Sequence, residues 1–392
     1  MLIWLGFLIS LFIILLISRW NLALAITTGA VALGLITMTL ALVLHQIIAV
    51  LTDPSIVILS LAMGVIPIIG GVMKESGQIG NLINNLRIKR KYLLALSAAM
   101  MGLLPMPGGA LLSAPILAEA GRGVADDLKA AINNWFRHLF ILVYPLSPAL
   151  IASVRICGLD VYTAIIYLLP GFLLALVLGN FFFLSQVKGR IEYKERFRLS
   201  GLLLPILIII TAPILDFTLK RTLLLGSSAT LIGVLVALIL ALQLKRRAIE
   251  LIRIIGEARP WNFTLILIGM FIYLFIFQRS PVRNLIGQLP LPPLLLAVVG
   301  GFLLGLLTGR VQLPASIIFP VYLATVEGIR PEIFAVIYIA IFFGYVTSPV
   351  HPCLVVSGEY FHVPIRRLLL KLAPPVLIVF ASTLILSLTL YR

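Results

Sequence analysis

The sequence predicts an all-α polytopic membrane protein of two inverted repeats, each with five transmembrane helices and one re-entrant hairpin. Three observations carry this: apolar residues in membrane-length blocks, an ordered echo of the first half in the second, and a one-sided distribution of basic residues. Of the 392 residues, 61% are hydrophobic and 11% charged, a composition suited to a bilayer rather than to water.

The blocks run Leu2–Ser18, Leu22–Leu44, Ser55–Val72, Ala131–Ile156, Ala164–Val187, Leu202–Leu219, Leu223–Leu244, Trp261–Phe277, Ile333–Val356 and Ile365–Leu390. At about 1.5 Å per residue, each is long enough to cross roughly 30 Å of hydrocarbon. No basic residue precedes the first block and its first charge, Arg19, follows it, so it reads as a retained helix rather than a cleaved leader. The longest polar stretches, 188–200 and 245–260, are loop-sized and leave no room for a soluble domain. The formal charge of +16 sits in short loops between apolar blocks. That placement indicates topology and lipid-headgroup contact, not nucleic-acid binding. Cys157 and Cys353 show no CxxC spacing and no Cys/His clustering along the sequence, which predicts neither a disulfide framework nor a zinc site.

The echo is ordered. Gly34 answers to Gly233, Met63 to Met270, Asn81-Leu82-Ile83 to Asn284-Leu285-Ile286, Pro107 to Pro314, and Ser147-Pro148 to Ser348-Pro349. It divides the chain into repeats 1–198 and 199–392. At equivalent places in each lies an interrupted segment, about 92–118 and about 293–326. The first is broken by Pro105-Met106-Pro107-Gly108-Gly109, where prolines remove helix donors and glycines permit tight bends. Its arms are too short to span alone.

Charge decides whether these segments cross or re-enter, because Lys and Arg concentrate in cytoplasmic loops. With two re-entrant hairpins and both termini outside, the cytoplasmic side receives 22 of the 30 basic residues, seven face out, and Arg310 lies within the second hairpin. With both segments crossing, the balance becomes 14 against 15. The hairpin topology follows, with five spans per half placing the second half upside down, a pattern of secondary transporters. The location implied is a cytoplasmic membrane, crossed many times.

Broken backbone at membrane depth is tolerated only against protein or a watery cavity, so the breaks mark the candidate site. Besides the hairpin tips, Tyr144-Pro145-Leu146-Ser147-Pro148 and Tyr345-Val346-Thr347-Ser348-Pro349 interrupt two spans. Exposed helix N-termini attract anions and C-terminal carbonyls hold cations. The candidate substrate-binding residues are therefore Pro107, Gly108, Gly109, Ala110, Ser113, Ser147, Pro314, Ala315, Ser316, Thr347 and Ser348, together with Arg310 and His351. A coupling Na+ would sit near Gly108, Ser147, Ser316 and Ser348. The structural alternative for each proline is a kink that only shapes packing.

Arg310, just before the second tip, is costly in hydrocarbon without a partner. It reads either as an anchor for a carboxylate, which a guanidinium grips with two parallel hydrogen bonds, or as a side chain that snorkels or closes the tip on backbone carbonyls. His351 would carry a proton, hydrogen-bond the solute, or serve as a satisfied structural histidine. Asn133, Asn134, Arg137 and His138 could line an inner vestibule, but their place at the start of a span favours a helix end facing headgroups. No Asp or Glu lies centrally in a span; Asp53, Asp160, Asp216, Glu327 and Glu359 fall near ends or in loops. That disfavours a buried carboxylate relay and leaves Na+ or H+ as coupling ion, with no other cofactor. HExxH, GxSxG and Asp-rich metal pairs are missing, so no enzyme is expected.

Five spans plus a hairpin, repeated upside down with a broken helix after each hairpin, resembles the ion transporter superfamily of divalent anion/sodium symporters and gluconate permeases. More closely, Gly102-Leu103-Leu104-Pro105-Met106-Pro107-Gly108-Gly109-Ala110 with Ser348-Pro349-Val350-His351-Pro352 resembles an uncharacterised prokaryotic membrane family catalogued as domain of unknown function 401. The resemblance implies a carrier whose hairpin tips and broken helices bind an anion and its coupling ion, as a homodimer with elevator-like motion. The Ser-Asn-Thr tips of dicarboxylate symporters are replaced here by Pro-Gly-Gly-Ala and Leu-Pro-Ala-Ser. The expected function is secondary active transport of a small solute, an organic anion such as a carboxylate, by alternating access. A carrier of a cation or neutral solute, a channel, and a membrane-embedded enzyme are the alternatives.

Overall fold

The computed structural model describes residues 2–103, 109–189, 191, 193, 196–243, 250–288 and 292–390, and among these it is all-helical, without strands. The first half comprises α1 (Leu2–Ile17), α2 (Leu22–Thr37), α3 (Leu40–Thr52), α4 (Pro54–Glu75), α5 (Gln78–Asn84), α6 (Arg90–Leu103), α7 (Gly109–Ala120), α8 (Asp126–Leu139), α9 (Pro148–Ile156) and α10 (Val161–Phe182). The second comprises α11 (Leu199–Thr222), α12 (Ser227–Gln243), α13 (Leu251–Ala258), α14 (Pro260–Arg279), α15 (Val282–Gly287), α16 (Pro293–Thr308), α17 (Gln312–Leu323), α18 (Pro331–Val346), α19 (Pro352–Tyr360) and α20 (Ile365–Leu390).

Among the described residues, six segments are long and apolar enough to cross a membrane: Pro54–Glu75, Asp126–Ile156, Val161–Gln186, Leu199–Thr222, Leu251–Arg279 and Ile365–Leu390. The outer helices keep large apolar side chains exposed, such as Leu173, Phe181, Leu203 and Leu386, as lipid-facing surfaces do. This is a polytopic helical membrane protein.

Helix starts follow local chemistry. Asp53 accepts from the amides of Ser55 and Ile56 at 2.8 and 3.3 Å ahead of α4, and Asn21 accepts from Leu24 at 3.0 Å ahead of α2. Pro54, Pro148, Pro260, Pro331 and Pro352 occupy first turns, where a missing donor costs nothing. The block Leu22–Leu44, expected as one span, is two helices. Thr37 turns its hydroxyl back to the Leu33 carbonyl at 2.6 Å, Met38 is extended, and the chain restarts at Leu40. Polar β-branched residues beside an extended residue stop a helix that hydropathy alone would continue.

The principal packing falls into two bodies. In one, α1, α2, α4, α12 and α14 lie together, with α11 against α12 and α5. In the other, α6 lies on α7 and α8, α16 on α17 and α18, and α18 against α10 and α20. Contacts of α14 with α9 and α17 join the two. Close approach at α6 depends on Gly102, where a Cβ would overlap the carbonyl oxygen of Arg137 on α8.

Asp216, near a span end, is fully buried and saturated. It accepts from Tyr162 at 2.6 Å and Thr230 at 2.6 Å, and pairs with Lys220 at 2.9 Å. A buried carboxylate so satisfied ties α10, α11 and α12 together.

Candidate functional site

Both predicted helix breaks are present. The strand of helix starting at Asp126 ends as α8, tightens into a single turn at Phe140–Val143, and restarts at Pro148 as α9. Likewise α18 ends at Val346 and α19 restarts at Pro352. In the first break the proline that begins the second piece pre-sets its own φ and needs no donor, so the restart is locally favourable. The same holds for Pro352.

Between the two bodies, these breaks open on a cavity of about 490 Å³. Its walls take Gly102 and Leu103 from the end of α6, Arg137, His138 and Ile141 from α8 and the turn after it, and Ser147 to Ala149 from the start of α9. Gly309 to Gln312 enter from the turn between α16 and α17, and Tyr345, His351, Pro352 and Cys353 from the second break. The other body supplies Trp20 to Ala23, Arg259, Asn262, Phe263 and Ile266.

The turn at Gly309 is held by geometry that favours glycine. Its φ is +62°, and a Cβ there would lie 3.0 Å from the His351 nitrogen and 3.1 Å from the Ser348 hydroxyl oxygen. The turn between α16 and α17 therefore rests directly on the second break.

Electrostatics follow from the lining. Among the described residues, three arginines, Arg137, Arg259 and Arg310, border the cavity, and its lining contains no Asp or Glu. No ion pair among the described residues involves any of the three. Arg137 is 5% exposed and its Nη1 has no hydrogen-bond partner. The N-termini of α9, α17 and α19 all reach the cavity wall, adding amide dipoles of the same sign. Such a set of groups favours negative charge in the cavity.

The polar residues of α8 require a correction. Expected at a helix end among headgroups, Asn133, Asn134, Arg137 and His138 are all buried. Asn134 donates to the Val346 carbonyl at 3.0 Å, closing the end of α18 at its break. Asn133 donates to the Ser357 hydroxyl at 3.0 Å and to the Ala110 carbonyl at 3.4 Å, joining α8 to α19 and α7. The turn that looked peripheral in hydropathy is the centre of the site, because α8 already starts at Asp126, ahead of the apolar block, which places these residues in its second half, enclosed by α6, α7, α19 and α20.

Of the candidate residues, Ser147, Arg310 and His351 line the cavity. Pro314, Ala315 and Ser316 form the buried first turn of α17 behind it, with the Ser316 hydroxyl donating to Leu313 at 2.8 Å. Thr347 donates to the Phe343 carbonyl at 2.8 Å, and the Ser348 oxygen accepts from the Val350 amide at 3.3 Å. Ala110 and Ser113 are buried in α7, away from the cavity wall, and Gly109 begins that helix. Pro107 and Gly108 lie outside the described residues.

Cys353 also departs from expectation. It joins His138 and His351 in a cluster whose nitrogen and sulfur ligand atoms all lie within 4.8 Å of one another. The signal that could have found it is the spacing of His351 and Cys353, two residues apart, which the sequence reading passed over; His138 comes from the last turn of α8, just ahead of the other break.

Comparison with curated proteins finds no match. A family model matches residues 3–391, nearly the whole chain, and with it the protein belongs to the family described as protein of unknown function, DUF401.

Proposed function

We propose that the protein is a secondary active transporter of a small organic anion, a carboxylate, in the manner of the ion transporter superfamily. In this reading ten spans and two hairpins form inverted repeats in a cytoplasmic membrane, and Na+ or H+ drives the cycle. The observation that carries it is the cavity between the two bodies, where, among the described residues, three arginines without ion-pair partners face a lining without carboxylates. A guanidinium that is buried and short of a hydrogen-bond acceptor is stabilised by an arriving carboxylate, which offers two oxygens in matching geometry.

Placement supports transport over catalysis. The cavity lies where α14 of one body meets α9 and α17 of the other, so relative movement of the bodies would expose it to alternate sides. The parallel order of elements supports the repeat: a short helix follows the third long span in each half, α5 and α15, then a helix pair, then a broken helix.

Uptake into proteoliposomes tests the proposal. With a panel of labelled monocarboxylates, dicarboxylates and sugar acids, under inward Na+ or H+ gradients, saturable uptake of at least one is expected, accelerated by one of the two gradients. Flux of none of them above protein-free vesicles would contradict it.

A further inference from the structure

The cluster of two imidazoles and one thiol at the meeting of the two breaks has a geometry that anion binding does not use. His138 Nδ1 lies 2.5 Å from the Asn134 carbonyl oxygen, and His351 Nδ1 lies 3.4 Å from that of Gly309. A carbonyl only accepts, so in each ring Nδ1 is the atom suited to carry the proton. That leaves both Nε2 lone pairs aimed at one another, 3.0 Å apart. Two lone pairs at that distance repel unless something positive lies between or beside them.

We propose that His138, His351 and Cys353 form a binding site for a borderline transition-metal ion of the zinc class, with its fourth coordination position open to the cavity. Metal–nitrogen bonds of about 2.0–2.1 Å at a tetrahedral angle separate two nitrogens by about 3.3 Å, so the pair is already near its bound spacing. Ligating histidines characteristically donate their second ring N–H to a backbone carbonyl, which fixes tautomer and ring plane, and both rings are placed to do so here. Pro352 begins α19 between His351 and Cys353, fixing the backbone between two of the three ligands.

On binding, the Cys353 thiol releases its proton to water and the thiolate sulfur bonds the metal. Zn2+ with one thiolate and two neutral imidazoles keeps a net charge of +1. Arg137 and Arg310 border the same space, so the open position faces a region that gathers anions rather than further cationic ligands. All three ligands line the cavity, giving the ion a way in. The assignment goes beyond the transport reading and does not depend on it, since equilibrium metal binding needs neither gradient nor solute.

The test uses the full chain, purified in detergent, stripped with a chelator and titrated with Zn2+ against a chromophoric competitor, with Co2+ as spectroscopic reporter. Expected are one Zn2+ per chain and a Co2+ spectrum with tetrahedral ligand-field bands and a thiolate-to-cobalt charge-transfer band. Cys353→Ser should abolish that band and weaken Zn2+ binding by more than the roughly 10–100-fold that loss of an outer-shell partner brings. His138→Gln and His351→Gln should weaken it likewise, whereas Cys157→Ser should change neither. A wild-type protein that takes up no stoichiometric Zn2+ would overturn the proposal, whatever the variants do, and would assign the 3.0 Å contact to a shared proton. Binding retained in Cys353→Ser, or lost in Cys157→Ser, would also overturn it. Absence of carboxylate uptake would leave the metal result standing, and absence of metal would leave the uptake result standing.

Discussion

Arg137 carries the clearest energetic statement of any single residue. It is buried, one of its nitrogens is unbonded, and no carboxylate among the described residues offsets its charge. Burying a charge that lacks a partner costs stability, and a protein keeps such a group where a ligand completes it. Arg137→Met should therefore raise the thermal unfolding temperature of the solute-free protein, by the equivalent of about 1–4 kcal/mol, while reducing carboxylate uptake. A structural arginine would give the opposite sign in the melting experiment. Asn134 makes a second, independent case. Asn134→Ala leaves the Val346 carbonyl buried without its donor, at a cost of about 1–3 kcal/mol, seen as a lower unfolding temperature. At this scale the sequence was partly legible. Arg310 and His351 stood out because charged and titratable side chains are rare inside apolar runs. Arg137 and His138 did not, because a polar cluster at the start of a span has the same pattern whether headgroups or helices surround it.

Among elements, the breaks were the most readable feature. Prolines within membrane-length runs predicted where α8 gives way to α9 and α18 to α19, and the structure restarts each helix on its proline. What hydropathy could not convey was the interruption at Met38, where threonines rather than proline or glycine end α2. The cluster of His138, His351 and Cys353 was hidden from the sequence for a different reason. His138 and His351 are separated by 213 residues, and only the packing of one break against the other brings them together. Gly309 makes that packing possible, since the turn between α16 and α17 closes on His351 through a backbone conformation that side chains resist. Gly309→Ala should cost about 1–3 kcal/mol from backbone strain, and the added Cβ should push the tip off the second break. Thermal unfolding reads the first effect. Loss of uptake with retained membrane expression reads the second.

For the whole molecule, topology is the property that the charge count predicted and that labelling can check. Single cysteines at Lys89 and Arg196 should react with a membrane-impermeant thiol reagent only from the cytoplasmic side of intact cells, and one at Leu224, in the turn between α11 and α12, only from outside. Labelling of Lys89→Cys and Leu224→Cys from the same side would contradict the inverted arrangement. Family membership adds no cargo, so the substrate class rests on the site itself. The most direct measurement compares carboxylate uptake by wild-type, Arg310→Lys and Arg310→Ala proteins in matched proteoliposomes. If the cavity binds a carboxylate through paired guanidinium hydrogen bonds, Arg310→Ala loses roughly 10-fold or more in uptake efficiency, the 1.5–3 kcal/mol of a charge-assisted hydrogen bond, and Arg310→Lys recovers only part of it. Uptake by Arg310→Ala equal to wild type would contradict the account.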